Sequence, residues 1–175
     1  MCVPLEALYN APKAIARFPG WSGPEPETGY LWFDAPLEIG GVVEAGLVLR
    51  GGAVAHLQDQ NVTLELAATR PGILRRIPMA RIEWRSIRGG HSNKRRGNSE
   101  WRGKRVPATH HHSFDLNWLS DQRRMRGRNL PLACSVEEDL PSFESLRGHV
   151  GNLFRISNID IVPVPPWEYT LFDHG

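Results

Sequence analysis

Three consecutive histidines, His110, His111 and His112, lie in the stretch RVPATHHHSFDLNW (residues 105–118), between a run of arginines and an alternating apolar segment. Imidazole has an ordinary pKa of about 6.5, so both of its protonation states exist near neutral pH, and its neutral form is a common metal ligand. Read as a strand, the segment places His110, His112, Phe114 and Leu116 on one face, and His111, Ser113 and Asp115 on the other. The face carrying Phe114 and Leu116 is predicted to look inward, which puts His110 and His112 at the inner end of a sheet or a cleft. Their Cα atoms would stand about 6.6 Å apart at ~3.3 Å of rise per residue.

Two chemistries suit that pair once a third group joins it. A His–x–His pair with the distant His91, and with His56 or a carboxylate as a further ligand, fits a three-His centre with an open position for a divalent transition metal such as zinc. The other chemistry needs no cofactor. One imidazole takes the proton of an RNA 2′-hydroxyl, a second protonates the leaving oxygen, and a cation stabilises the charge on phosphorus; His91, His110, His112 and Lys94 are the candidates. His–x–His also opens the cupin motif, whose glutamate follows within a few residues, but here Ser113, Phe114, Asp115, Leu116 and Asn117 follow and no family is claimed. A role without chemistry is also open, in which the imidazoles simply hydrogen-bond backbone carbonyls in a half-buried strand.

Charge supplies the second signal. The 175 residues carry a net charge of only +2, yet residues 70–128 hold 16 Lys and Arg against four Asp and Glu, and both flanking segments are acidic. Such asymmetry calls for a polyanionic partner or for the acidic ends of the same chain. Surface ion pairs contribute only about 0–1 kcal/mol each, so an external polyanion is the preferred reading. Arg81, Arg85, Arg88, Arg95, Arg96, Arg102, Lys104 and Arg105 form the predicted phosphate-binding field. Trp101, inside the same run, offers a face on which an unpaired base can stack, which favours single-stranded RNA.

The elements that must position these groups read as an α+β single domain, an antiparallel meander or sandwich with one C-terminal amphipathic helix. One or two helical turns precede Pro12, and a Pro- and Gly-rich loop follows. A β body is predicted from Tyr30 to Asn117: YLWF as a short strand, then VVEAGLVLR with Val43, Ala45, Leu47 and Leu49 on one face. NVTLELAAT follows with Val62, Leu64, Leu66 and Ala68 inward, and PMARIEWRS with Ala80, Ile82 and Trp84 inward against Arg81, Glu83 and Arg85. Gly40, Gly41, Gly51, Gly52 and QDQN are read as turns. Residues 87–107 form a long basic loop or splayed hairpin. Asn117 is read as the cap of a short helix that Gly127 ends. Phe143, Leu146, Val150, Leu153 and Phe154 make one helical stripe over 141–155, and the glycines within it, Gly148 and Gly151, imply close packing. The Pro-rich tail is expected to run extended over the body.

The chain contains Cys2 and Cys134 only, the second read as a small buried hydrophobe, and shows neither an export signal nor ~18 consecutive apolar residues. The expectation is a cytoplasmic protein without a membrane segment. Ranked by sequence, the first function is nucleic-acid binding, with phosphodiester cleavage secondary to it. A three-His metal protein or metal-dependent enzyme comes next, and a non-catalytic module gripping an acidic protein last.

Overall fold

The period-2 patterning does build an antiparallel meander. In the computed structural model, which describes residues 3–70, 73–95, 99–126 and 129–168, the chain begins with helix α1 (Leu5–Asn10) and strand β1 (Ala14–Ile15). Long strands β2 (Tyr30–Ile39), β3 (Val42–Val54), β4 (Val62–Arg70) and β5 (Ile73–Trp84) follow. Short strands β6 (His91–Ser92), β7 (Arg105–Val106) and β8 (His110–His112) lead to helix α2 (Phe114–Arg126), strand β9 (Cys134–Ser135), helix α3 (Phe143–Phe154) and a 3₁₀ turn at Ile159–Ile161. The main sheet runs β1-β2-β3-β4-β5-β8-β9, and β6 pairs β7 in a separate hairpin. No described helix is long and apolar enough to cross a membrane.

The sheet has one apolar and one polar face. Leu31 and Phe33 of β2, Leu49 of β3, Leu64 and Leu66 of β4, and Ile82 and Trp84 of β5 are buried on the apolar side. The helices cover that side. Tyr9 stacks on Phe114 at 4.5 Å between ring centroids, Phe114 stacks on Trp118, and Trp84 Nε1 donates to the Leu140 carbonyl just ahead of α3. Trp167 in the tail meets Phe143 edge-on, and the Glu168 amide donates to Ala55, so the tail does lie along the body as expected.

Several local expectations are corrected. Gly51 and Gly52 do not form a turn; they lie inside β3, where a β-carbon would come within 2.0 Å of the Phe33 ring and 2.3 Å of the Tyr30 hydroxyl respectively. Gly in a strand here makes room for facing aromatics. YLWF is the start of a ten-residue strand, and Val43 and Ala45 are exposed because the β2–β3 hairpin projects beyond the core. The strand expected to run on to Asn117 stops at His112, and the sheet is completed later by β9: the Ser113 hydroxyl accepts from the Leu116 amide and starts α2. Asn117 is buried inside that helix instead of capping it, and Gly127 lies outside the described residues.

Helix α3 follows its predicted stripe, with Phe143, Leu146, Val150 and Phe154 buried and Leu153 half-buried. Ser142 and Ser145 form a reciprocal capping box at its start, and Arg155 ends it in the left-handed region. The two glycines divide. A β-carbon on Gly151 would sit 2.5 Å from Ile159, whereas one on Gly148 meets nothing within 4 Å. Gly148→Ala is therefore expected to stabilise the fold by about 0.5–1 kcal/mol, and Gly151→Ala to destabilise it by about 1–3 kcal/mol. Urea melts of the two variants check both signs.

Candidate metal centre

The register of β5 against β8 decides which side chains meet. Arg81 pairs with His112, Ile82 with His111, and Glu83 with His110. Cross-strand partners lie on the same face. Two rows therefore cross the polar side, Asp34–Arg50–Glu65–Arg81–His112 and Trp32–Gly52–Thr63–Glu83–His110. The expected parity is reversed: His110 and His112 share the face of Arg81 and Glu83, while His111 is on the apolar side, 6.5 Å from the Phe154 ring. The cause is the helix start at Phe114, which breaks the alternation that tied the histidines to Phe114 and Leu116.

His110 and His112 are nevertheless buried, because the β6–β7 hairpin folds over the end of the polar face. A β-carbon on Gly90, just ahead of β6, would stand 1.8 Å from the Val106 carbonyl, so the hairpin closes tightly there. Asn93, 5% exposed, docks it: its amide donates to Trp101 O and Ala133 O and accepts from the Ala133 amide. Asn117 makes the matching pair of bonds with Leu132. Together the two amides hold 132–133 as a strand partner would, and the adjacent Pro131 carbonyl accepts from His91.

This packing brings His91 to His110 and His112. One ligating nitrogen from each lies within 4.8 Å of the others, and the ring centroids are 4.9–5.8 Å apart. The hydrogen bonds set the tautomers. His110 Nδ1–H donates to Pro107 O at 2.8 Å, so the lone pair of the neutral ring is on Nε2, which has no hydrogen-bond partner. His91 Nε2–H donates to Pro131 O at 3.2 Å, leaving the lone pair on Nδ1. Arg81 Nη2 lies 3.4 Å from His112 Nε2, to which it can only donate.

Burial dominates the protonation of these rings. It lowers the His110 pKa, takes His111 down to about 4, and takes His112 down to about 2 with the nearby Arg81 charge as the next cause. All three are neutral at pH 7, the state in which imidazole ligates metals. Cys134, read as a buried hydrophobe, is half-buried on β9; its thiol donates to the His111 carbonyl, and burial pushes its pKa up.

Other predicted residues are placed apart from the cluster. Lys94 and Arg95 are exposed beyond β6, Arg102, Lys104 and Arg105 are exposed on the same hairpin, and Arg88 is exposed ahead of it. Lys94 makes no hydrogen bond or ion pair with the histidines. Arg85 follows β5 directly, its amide donating to Thr109 Oγ1 beside His110, but its guanidinium lies over the Trp84 ring at 4.6 Å and donates to the Asp59 and Pro141 carbonyls. Trp101 is half-buried with Lys104 Nζ 5.2 Å over its ring. Arg96 lies outside the described residues, and His56 is exposed after β3 and does not join the group of three histidines.

The sequence alone assigns Glu83 no part in the centre and gives Asn93 no docking role. Glu83 was visible only as an outward residue of an alternating strand, and nothing in the sequence states the β5–β8 register. A cleft of about 190 Å³ adjoins the site on the same face, lined by Trp32, Asp34, Arg50, Thr63, Glu65 and Arg81. Comparison with family models, with curated proteins and with solved structures finds no match for the chain.

The lowered pKa values fix a pH dependence. A histidine neutral in the fold and of ordinary pKa when unfolded makes the unfolded chain bind more protons below about pH 6.5, so stability falls as the pH drops. His111 alone is expected to remove about 1.4 kcal/mol per pH unit between roughly pH 6 and 4. Urea melts of metal-free protein from pH 7.5 to 4.5 measure the slope, and His111→Leu should make it shallower by that amount.

Proposed function

We propose that this is a metal-binding protein whose centre is held by His91, His110 and His112, with a divalent transition ion such as zinc as the cofactor. One observation carries the reading: imidazoles from two strands, His91 of β6 with His110 and His112 of β8, converge within 4.8 Å, burial keeps the β8 pair neutral, and carbonyls orient two of the rings. Metal-ligating histidines commonly give their other ring N–H to such an acceptor. Metal-free acid–base cleavage is less favoured. A His112 pKa near 2 and an exposed Lys94 without contact to the rings suit proton transfer near neutral pH poorly.

An ion held by three protein nitrogens would leave a fourth position to be filled by a water, a substrate oxygen or a further side chain, on which it would act as a Lewis acid. The chain contributes a dry wall on the sheet side and, through Pro107 and Pro131, fixed ring orientations. Purified protein incubated with zinc and dialysed is expected to retain one ion per chain by elemental analysis. His110→Ala and His112→Ala should each abolish retention. A wild-type protein that retains none would overturn the assignment.

A second reading, single-stranded RNA binding by the basic hairpin, is supported by the exposure of Lys94, Arg95, Arg102, Lys104 and Arg105 on the hairpin that also carries His91. Each phosphate contact is expected to contribute about −0.7 to the slope of log K against log salt. A salt series with labelled oligo(U) should give a steep line, made shallower by Arg102→Glu with Lys104→Glu. A flat line discards RNA binding without touching the metal reading.

A further inference from the structure

A carboxylate faces the same point as the histidines. Glu83 Oε2 lies 3.7 Å from His110 Nε2, and Glu83 Oε1 lies 3.7 Å from His112 Nε2. At 3.7 Å neither contact is a hydrogen bond. His110 Nε2 bears a lone pair because its Nδ1–H is spent on Pro107, and His112 Nε2 can only accept from Arg81. Acceptors thus face acceptors across a gap too long for a hydrogen bond and suited to a shared cation.

Arg81 does not satisfy this carboxylate. Its Nε is 3.2 Å from Glu83 Oε1 yet buried without a hydrogen-bond partner, so the pair is close but misaligned. The same guanidinium reaches toward Glu65 on the next strand, with Nη1 3.9 Å from Glu65 Oε2. Glu65 is thus an alternative partner already in place along the charge ladder.

Resting on the three-His reading, we propose that Glu83 is the fourth protein ligand of the centre, and that Arg81 is its resident counter-charge, handed to Glu65 when the ion binds. Charge demands such a ligand. A dication bound by neutral imidazoles alone would sit uncompensated in a half-dry recess beside the Arg81 guanidinium, and one carboxylate offsets much of that cost. The resulting set of three nitrogens and one oxygen suits zinc, cobalt, nickel or ferrous ions. It does not suit calcium or magnesium, which take oxygen ligands, nor cuprous ion, which prefers sulfur.

Cobalt(II) supplies the test, because its visible spectrum reports the ligand set. The wild type is expected to bind one cobalt ion, and magnesium or calcium in excess should not displace it. Glu83→Gln should weaken cobalt binding by at least about 10–100-fold, the range lost on removing even an outer-shell partner, and should alter the spectrum. Arg81→Met should tighten binding several-fold by removing the competing cation. A purely structural role for the pair would leave the spectrum unchanged and would not give opposite signs. Urea melts of the metal-free variants check folding; if Glu83→Gln does not fold, the sign for Arg81→Met decides. Wild-type affinity and spectrum in Glu83→Gln, or unchanged or weaker binding in Arg81→Met, would overturn the role of Glu83 while leaving the three-His centre standing. A wild type that binds no cobalt removes both.

Discussion

The pairing of two short runs, Arg81–Ile82–Glu83 with His110–His111–His112, is the constraint on which the rest of the molecule's chemistry depends. Side chains alternate along a strand, so this register places two imidazoles opposite an arginine and a glutamate and sends the middle one into the core. A slip of one residue would put Ile82 against His110 or His112 and turn His111 toward the polar side. His111 against Phe154 and Ile82 among buried apolar groups penalise that slip. The hydrophobic interior thereby sets the geometry of a polar site it does not touch.

The hairpin completes the arrangement by a different device. Asn93 and Asn117 each give a carboxamide to the backbone of 132–133, donating to a carbonyl and accepting from an amide as a neighbouring strand would. Asn158 does the same for Ile15 at the opposite edge of the sheet. Buried polar groups must be satisfied, and here satisfying them also fixes distance. His91 reaches the other two rings because the segment it leans on is itself clamped.

Much of this was legible in the residues, and what was not has identifiable causes. Alternation in NVTLELAAT and the stripe from Phe143 to Phe154 gave their elements, because each pattern records burial against one neighbour. His91, His110 and His112 stood out by residue type, and the long basic excursion does return over them. The facing of the histidines was misread because Ser113 ends the strand and caps a helix, and a polar cap inside an apolar alternation resembles one more outward strand position. Gly51 was read as a turn because its reason lies on another strand, in the Phe33 ring. Glu83 escaped for the same reason: its meaning is cross-strand, and one strand's sequence does not carry its partner's register.

The three described helices lie on one side of the meander, while the charge ladder, the cleft and the histidine cluster lie on the other. Tolerance to sequence change is therefore partitioned strand by strand. Alternate positions of the same β-strand answer to separate physical demands, packing against the helices for one set and charge pairing at the polar face for the other. The solvent-side rows between Trp32 and Glu83 can accordingly change their charges and shapes while the helical backing keeps the scaffold intact.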